Sequence, residues 1–204
     1  MSDAMPELVL ASNNAKKLAE LQALLPGIQV RCQGELGVGE AEEPHGTFVE
    51  NALAKARHAA RITGRPALAD DSGLCVDALQ GRPGVQSARY AALAGGERSD
   101  AANNALLLAT LQGQEDRRAH FACVLVALRH ADDPQPLIAQ GRWLLEVLEA
   151  PRGEGGFGYD PLVAPRGQSR SVAEMSAAEK NTLSHRAQAM AQLRAQLAEA
   201  WGWR

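Results

Sequence analysis

The sequence predicts an α/β fold in which helices cover a mixed β-sheet. Near its start, an apolar run, a helical pattern and a second apolar run follow one another, which is typical of a strand–helix–strand unit. Later, two longer strand-like segments are joined by a polar turn, which is typical of a hairpin. The 204 residues are 46% hydrophobic. That is enough to bury a substantial core, as one domain or two fused lobes spanning residues 1–204 with no separable linker.

The first half of the chain alternates strands and helices. The first predicted helix follows Asn14 and is stopped by Pro26 and Gly27. The second begins with a capping box at Thr47 and ends at Gly64. Apolar runs predict strands at residues 8–11, 28–32 and 66–69, and the third runs into Asp70-Asp71-Ser72-Gly73.

In the second half, Ser99 is expected to cap a helix that runs to about residue 111. Strands are predicted at residues 120–129 and 137–147, joined by a turn at 131–136, and a glycine-rich stretch follows at 153–161. The last predicted helix carries five apolar residues at helical spacing, which are expected to face the core. They are Leu183, Met190, Leu193, Leu197 and Trp201.

Composition narrows the class of partner. The chain has 24 acidic and 21 basic residues and a net charge of −3, which argues against a nucleic acid polymer but allows a small anionic substrate. No apolar stretch approaches the roughly 20 residues needed to span a membrane. The three cysteines form neither an even set nor a closely spaced pair. A reducing cytoplasm is therefore the expected location.

One segment is suited to phosphate. Residues 12–17 join a strand to a helix, where free amides and the helix dipole attract anions. Lys17 adds a positive charge that we expect to be mobile. A plain helix cap with a solvated lysine is the alternative. The segment consists of Ser12, Asn13, Asn14, Ala15, Lys16 and Lys17.

Acidic residues supply a possible metal site. Asp70 and Asp71 point to opposite faces if they continue a strand, so one can face a metal while the other holds a lysine or a backbone group. Glu42 or Glu43 is a further carboxylate, and Lys55 lies where it can point toward the acids. Mg²⁺ prefers such a small set of oxygens. The alternatives are an Asx turn and a solvated loop.

A glycine-rich loop and a late basic segment complete the candidates. Gly153, Gly155 and Gly158 match Gly-x-Gly-x-x-Gly only formally, because the helix of a dinucleotide fingerprint does not follow. We expect Phe157 or Tyr159 to stack on a flat ring instead, the alternative being a flexible loop. Further donors for keto oxygens or phosphates are Lys180, Ser184, His185 and Arg186, for which helix capping and exposed charges are the alternative.

In this order, the segments resemble one family, the inosine/xanthosine triphosphate pyrophosphatases, from residue 8 to about 194. The resemblance rests on residues 12–17, 50–52 with Lys55, 70–74, Gly84 with 87–90, 155–161, and Lys180 with 184–186. It implies an elongated mixed sheet flanked by helices, with two lobes around a central substrate cleft, and a homodimer. It also implies Mg²⁺-dependent hydrolysis of non-standard purine triphosphates (ITP, dITP, XTP, dXTP) to monophosphate and pyrophosphate.

The resemblance also implies roles for individual residues. Residues 12–17 bind the triphosphate, Asp71 is both metal ligand and base, and Glu43 or Glu42 is a second metal ligand. Lys55 and Asp70 support that centre, and Ser72 contacts the substrate. The purine base is held by Phe157, Gly158, Tyr159, Asp160, Lys180, His185 and Arg186.

Two departures from the family pattern accompany these matches. Ser12-Asn13-Asn14 stands where Thr-Gly-Asn is common, and Leu145 replaces a glycine in a predicted strand.

Three other functions stay open at this point. They are a pyrophosphatase with another base preference, a nucleotide sensor without hydrolysis, and a dinucleotide-dependent oxidoreductase. The sensor fits the acidic pair poorly, because binding alone needs no base.

Overall fold

The computed structural model describes residues 5–203, so the first four and the last residue of the predicted domain lie outside it. Six strands form a single sheet in the order β2-β1-β3-β4-β5-β6. They are β1 (Glu7–Leu10), β2 (Gln29–Cys32), β3 (Ala67–Val76), β4 (Arg118–Leu128), β5 (Leu137–Val147) and β6 (Val163–Pro165). β1 runs parallel to β2 and β3, and β5 runs antiparallel to β6. The predicted mixed sheet is therefore confirmed.

Six α-helices accompany the sheet in the described part of the chain. They are α1 (Ala15–Leu24), α2 (Phe48–Thr63), α3 (Tyr90–Leu93), α4 (Asp100–Thr110), α5 (Ala177–Leu183) and α6 (His185–Gln196). Between residues 5 and 203, none of the helices has the length and apolar character needed to cross a membrane.

The chain divides into two compact units. The first comprises the chain through Asp71, residues 123–141 and residues from Arg186 onward; the second comprises residues 72–122 and 142–185. The boundaries fall inside β3, β4 and β5 and at the start of α6, so these three strands contribute residues to both units.

The core of the first unit has two faces, because successive residues of a strand point to opposite sides. Leu8 and Leu10 of β1 and Leu68 of β3 belong to a cluster that includes residues of α1 and α6. Val9 of β1 belongs, with Ala67 and Ala69 of β3, to a second cluster that contains the alanines of α2. The sheet of this unit is thus sandwiched between α1 with α6 on one face and α2 on the other.

Helices α1 and α2 begin where their capping residues predict. The Asn14 side chain accepts hydrogen bonds from the backbone amides of Lys16 and Lys17, which starts α1. Thr47 accepts from the amide of Glu50 at the start of α2, and Gly64 ends α2 in the left-handed conformation. Such caps satisfy amides that have no partner within the helix.

One predicted boundary is wrong. The strand predicted to end at Ala69 continues through Asp70-Asp71-Ser72-Gly73 to Val76. The extended course brings Gly73 so near Gly84 that a Cβ there would lie 2.3 Å from the Gly84 carbonyl oxygen. The backbone amide of Leu74 donates to Ser87 Oγ, 2.9 Å away. Ion pairs compensate the negative charges of the two acids, so that both residues can lie within the strand.

The predicted last helix is two helices. Ser184 has an extended conformation (φ −66°, ψ 157°) and separates α5 from α6. Leu183 therefore ends α5 and is 44% exposed, whereas Met190, Leu193 and Leu197 are buried as predicted. The regular spacing of apolar residues did not reveal the break, because Ser184 is compatible with both conformations.

The second unit has its own core. β4 and β5 contribute Phe121, Trp143 and Leu145, and α4 contributes Leu107 and Leu111. Leu145 is fully buried and pairs with Pro165 of β6. The departure at this position thus places a leucine side chain in the core of a regular strand.

Candidate active site

The acidic pair of β3 is divided between the two faces of the sheet in the first unit. Asp70 lies two residues after Leu68 and therefore points to the face covered by α1 and α6. Asp71 lies two residues after Ala69 and points to the face covered by α2. The two carboxylates therefore meet different cations, although they are neighbours in sequence. The predicted opposite orientation of the two side chains is confirmed.

Asp70 is a buried carboxylate held by two cations. It is 1% exposed. Lys17 Nζ lies 2.8 Å from its Oδ1, and Arg186 Nε lies 2.6 Å from its Oδ2. The Cys123 thiol donates to Oδ2 at 3.5 Å. A carboxylate without water is stable only with such partners.

The ion pairs around Asp70 include a second residue of α1, the helix that carries Lys17. Arg186, itself 1% exposed, also donates through Nη1 to Glu20. Lys17 and Glu20 are three residues apart on α1 and share a face of that helix. Lys17, Asp70, Arg186 and Glu20 thus form a chain of alternating charges that fixes the first turns of α1 to β3 and α6.

The charges around Asp70 decide its protonation. Burial alone would raise the pKa of this carboxyl, but Arg186 and Lys17 outweigh burial and hold the pKa well below its usual range. Burial and the Asp70 carboxylate raise the pKa of the Cys123 thiol well above its ordinary value. Asp70 is therefore an anion and Cys123 a neutral thiol at pH 7.

On the other face, Asp71 is paired with Lys55. Lys55 Nζ lies 2.7 Å from Asp71 Oδ1, 2.9 Å from Glu43 Oε1 and 3.1 Å from the Asp70 carbonyl oxygen. Burial alone would lower the pKa of Lys55, but Asp71 and Glu43 reverse the effect and raise it. The predicted direction of Lys55 toward the acids is confirmed, and all three hydrogens of its ammonium group have an acceptor.

The second oxygen of Asp71 is different. Asp71 is 7% exposed, and its Oδ2 is buried without a hydrogen-bond partner among the described residues. An unpartnered buried oxygen costs free energy, on the order of 1–3 kcal/mol, unless a ligand compensates it. Burial raises the pKa of Asp71 above its ordinary value, with Lys55 opposing the shift. These properties suit an oxygen that faces a cation or a proton donor.

The two candidate glutamates differ in environment. Glu43 is partly buried and its Oε1 is bonded to Lys55, whereas Glu42 is exposed. Between residues 5 and 203, no three His, Cys, Asp or Glu side chains are gathered as a metal cage. Mg²⁺ is commonly held by one or two carboxylates together with substrate phosphates, so Asp71 and Glu43 fit this ion.

The segment before α1 is more ordered than its sequence suggests. Asn13 Oδ1 accepts the Gly34 amide at 2.8 Å, and the Asn14 amide donates to Ser12 Oγ at 3.2 Å. The prediction of a mobile Lys17 is wrong, because its ammonium group is fixed on Asp70 and its side chain is only 17% exposed. Lys16 is exposed and Ala15 opens the helix, so their phosphate-binding role stays a prediction.

In the second unit, the glycine-rich loop is folded around its own acid. Asp160, 3% exposed, accepts the Phe157 amide at 2.9 Å and the Lys180 ammonium at 2.7 Å. A Cβ on Gly156 would lie 2.1 Å from Asp160 Oδ2, so only glycine fits. Lys180 Nζ also lies 4.8 Å from the centre of the Phe157 ring, a cation–π contact.

The remaining predicted residues have distinct environments. The Tyr159 ring is buried in the core of the second unit and its hydroxyl donates to the Ser87 carbonyl, so Phe157 is the aromatic ring of this loop that stays partly exposed. His185 packs against Phe121, with ring centres 4.8 Å apart. Ser72 lies in β3 and is partly buried. A dinucleotide fingerprint would require an α-helix directly after Gly158, and none follows at this point of the loop.

Comparison with known proteins identifies the family of the chain. The model of the Ham1 family matches residues 8–196 of the chain. The chain belongs to the Ham1 family. The family relationship predicted from the ordered motifs is therefore confirmed.

Relatives in the Ham1 family resemble the chain over nearly its whole length. A dITP/XTP pyrophosphatase of Ralstonia nicotianae is 65% identical over 191 residues, which cover 93% of this chain and 95% of the relative. A dITP/XTP pyrophosphatase of Burkholderia pseudomallei is 59% identical, with 98% and 99% covered. The structure of a HAM1 protein from Coxiella burnetii matches with a TM-score of 0.87 and 48% identity, covering 96% of this chain and 100% of that chain.

Sequence reasoning missed three residues that contact the predicted site. Glu20 binds Arg186, while Asp100 and Asn104 of α4 bind Gly158. A signal for Glu20 was present in its spacing of three from Lys17. No local signal marks Asp100 or Asn104, because their partner lies more than 50 residues away.

We expect Asp70→Asn to lower the free energy of unfolding at pH 7 by about 3 kcal/mol, because the buried Arg186 loses a carboxylate partner. The folded pKa of Asp70 is depressed, so its stabilising contribution is present above the unfolded pKa of about 3.9 and is lost as pH falls through the folded pKa. Urea unfolding at pH 7 and in steps below pH 4 measures both effects. Exposed Asp132→Asn is the control, and a variant as stable as wild type would contradict the assignment.

Proposed function

We propose that this chain hydrolyses non-standard purine nucleoside triphosphates (ITP, dITP, XTP and dXTP) to the monophosphate and pyrophosphate. Such a reaction removes damaged precursors from the nucleotide pool. The names of the relatives in the Ham1 family support the activity. The observation that carries it in this chain is Asp71, a buried carboxylate with one oxygen held by Lys55 and the other without a described hydrogen-bond partner.

The residues present fit Mg²⁺. Asp71 Oδ2 offers a buried anionic oxygen, and Glu43 accepts a hydrogen bond from the same Lys55 ammonium group as Asp71. We assign both as ligands, with Glu42 outside the site because it is exposed. When bound, the ion neutralises phosphate charge and makes a water molecule more acidic.

Proton transfer and orientation fall to the side chains. Asp71 accepts the proton of the water that attacks the α-phosphorus, a role suited to a carboxyl whose pKa is raised by burial. Lys55 holds Asp71 and Glu43 in place by donating to both. Asp70, with both its cations, acts as a support and does not take the proton, because its pKa is far too low.

The first turn of α1 is assigned to the triphosphate. Residues 12–17 present the amino end of a helix, which favours anions. Lys17 adds a fixed positive charge whose position is set by Asp70. This charge stabilises the leaving pyrophosphate. The charge is preorganised, because a cation that is already held needs no reorientation during the reaction.

The purine base is assigned to the second unit. Phe157 offers a partly exposed ring for stacking, and Lys180 and His185 are candidate donors to the 6-keto oxygen that adenine lacks. Arg186, predicted as a further donor, directs Nε and Nη1 to Asp70 and Glu20. We therefore assign Arg186 a supporting role between α1 and β3.

The homodimer stays a proposal that analytical ultracentrifugation can check.

The proposed substrate class predicts a selective turnover profile. We expect kcat/KM for ITP and XTP to exceed that for ATP by about ten-thousand-fold, because donors aimed at a keto oxygen are left unpaired against an amino group. Pyrophosphate release from ITP, XTP, ATP, GTP and dUTP, with and without Mg²⁺, measures the profile. Equal rates on ITP, ATP and GTP would exclude this function, and preference for dUTP would favour a pyrimidine enzyme.

Asp71→Asn is expected to reduce kcat by about a thousandfold or more, because an amide neither accepts the proton nor carries the charge that a cation requires. Pyrophosphate release measures the loss, and circular dichroism monitors the fold. Asp77→Asn, an acid directly after the same strand, is the matched control and should retain activity. Turnover of Asp71→Asn within threefold of wild type would contradict the assignment of the base.

The two glutamates should respond differently to neutralisation. Glu43→Gln is expected to raise the Mg²⁺ concentration for half-maximal rate by about tenfold, a common cost of losing one group at a metal site. Exposed Glu42→Gln should stay within twofold of wild type. Magnesium titrations of the two variants at saturating ITP compare them directly. The reverse order of effects would move the ligand to Glu42.

A further inference from the structure

Helix α4 holds both backbone groups of Gly158 in the glycine-rich loop. Asp100 Oδ2 accepts the Gly158 amide at 2.7 Å, and Asn104 Nδ2 donates to the Gly158 carbonyl oxygen at 3.0 Å. Asp100 and Asn104 are four residues apart and therefore share a face of the helix. One acceptor and one donor on a single helix thus replace the two hydrogen bonds that a neighbouring strand would give to this residue.

The backbone of Gly158 has a conformation that favours glycine. Gly158 has φ +62°, in the left-handed region that favours glycine. Its neighbours are fixed by other groups, since Phe157 is bonded to Asp160 and Tyr159 to Ser87. Gly158 is the point at which the loop is attached to α4.

The two side chains are suited to a fixed position. Asp100 lies in the first turn of α4, where the helix dipole favours a carboxylate. Asn104 is 8% exposed, and burial leaves its amide few alternative partners. The helix itself is anchored through Leu107, which is fully buried in the core of the second unit. A rigid element therefore carries the grip.

We propose that Asp100 and Asn104 are positioning residues that determine specificity, because they set where Gly158 and hence the Phe157 ring meet the purine base. This inference rests on the proposed function, in which the loop binds the base. Neither side chain needs to contact the nucleotide. Their effect is to keep the loop in one conformation before the substrate arrives, which reduces the entropy lost on binding.

The chain offers a matched control for this inference. Asn103 precedes Asn104 on the same helix and is 3% exposed. Its Oδ1 accepts the backbone amide of Ala91 in α3 at 2.8 Å. Asn103→Ala therefore removes a buried asparagine contact from α4 without removing a bond to the loop. A loss of stability that is common to Asn103→Ala and Asn104→Ala reflects the packing of α4. An effect confined to Asn104→Ala reflects the lost hydrogen bond to the loop.

We expect Asn104→Ala and Asp100→Ala each to raise KM for ITP about tenfold, the equivalent of one hydrogen bond, with kcat changed less than twofold. Inhibition by inorganic tripolyphosphate, which has no base, should stay within twofold of wild type. The ratio of kcat/KM for ITP to that for ATP should fall. Asp100→Asn keeps an acceptor oxygen and should restore most of the affinity, and Asn103→Ala should leave KM unchanged.

Hydrogen exchange supplies a readout that is independent of turnover. Residues 155–160 should exchange faster in Asn104→Ala than in wild type or Asn103→Ala. The proposal is overturned if KM for ITP stays within twofold in both alanine variants, or if tripolyphosphate inhibition weakens in the same proportion as KM rises. Failure of the proposed function would be seen separately, in wild-type protein that does not prefer ITP to ATP.

Discussion

The buried carboxylate of Asp70 is the constraint on which the first unit depends. A negative charge that is 1% exposed would be too costly without cations, and Lys17 and Arg186 supply them. These cations come from α1 and α6, so the requirement for charge compensation fixes both helices against β3. Glu20 of α1 adds a second carboxylate, so that the two cations and the two anions of this cluster balance. The arrangement orients the anion-attracting end of α1 as a by-product of stabilising the fold.

The alternation of β3 separates support from chemistry. Asp70 and Asp71 differ by one position, yet one has its pKa held far below and the other raised above the ordinary value. The difference arises because two cations meet Asp70, whereas Asp71 shares a single lysine with Glu43. This division depends on the continuation of the strand through both acids, because successive residues of a strand point to opposite faces.

In the second unit, side chains hold a loop in place by hydrogen bonds to its backbone groups. Its loop is held by backbone hydrogen bonds to Asp160, Asp100 and Asn104, and by the Tyr159 hydroxyl. Because the Tyr159 ring is in the core, the loop is part of the packed structure and Phe157 is its partly exposed aromatic ring. A surface fixed in this way can discriminate between bases that differ by a single polar group, since it cannot relax around the wrong one.

The sequence alone determined the features that depend on neighbouring residues. Apolar runs specified the early strands, Thr47 and Ser99 specified helix starts, and the ordered motifs specified the Ham1 family. Only the tertiary structure decided that β3 passes through its acids, that Arg186 meets Asp70 and that α4 grips Gly158. The partners in these contacts are separated by 116 residues for Arg186 and Asp70 and by 58 for Asp100 and Gly158. Local propensities carry no information about such pairs, because the energies that favour them exist only when folding excludes water from the groups concerned.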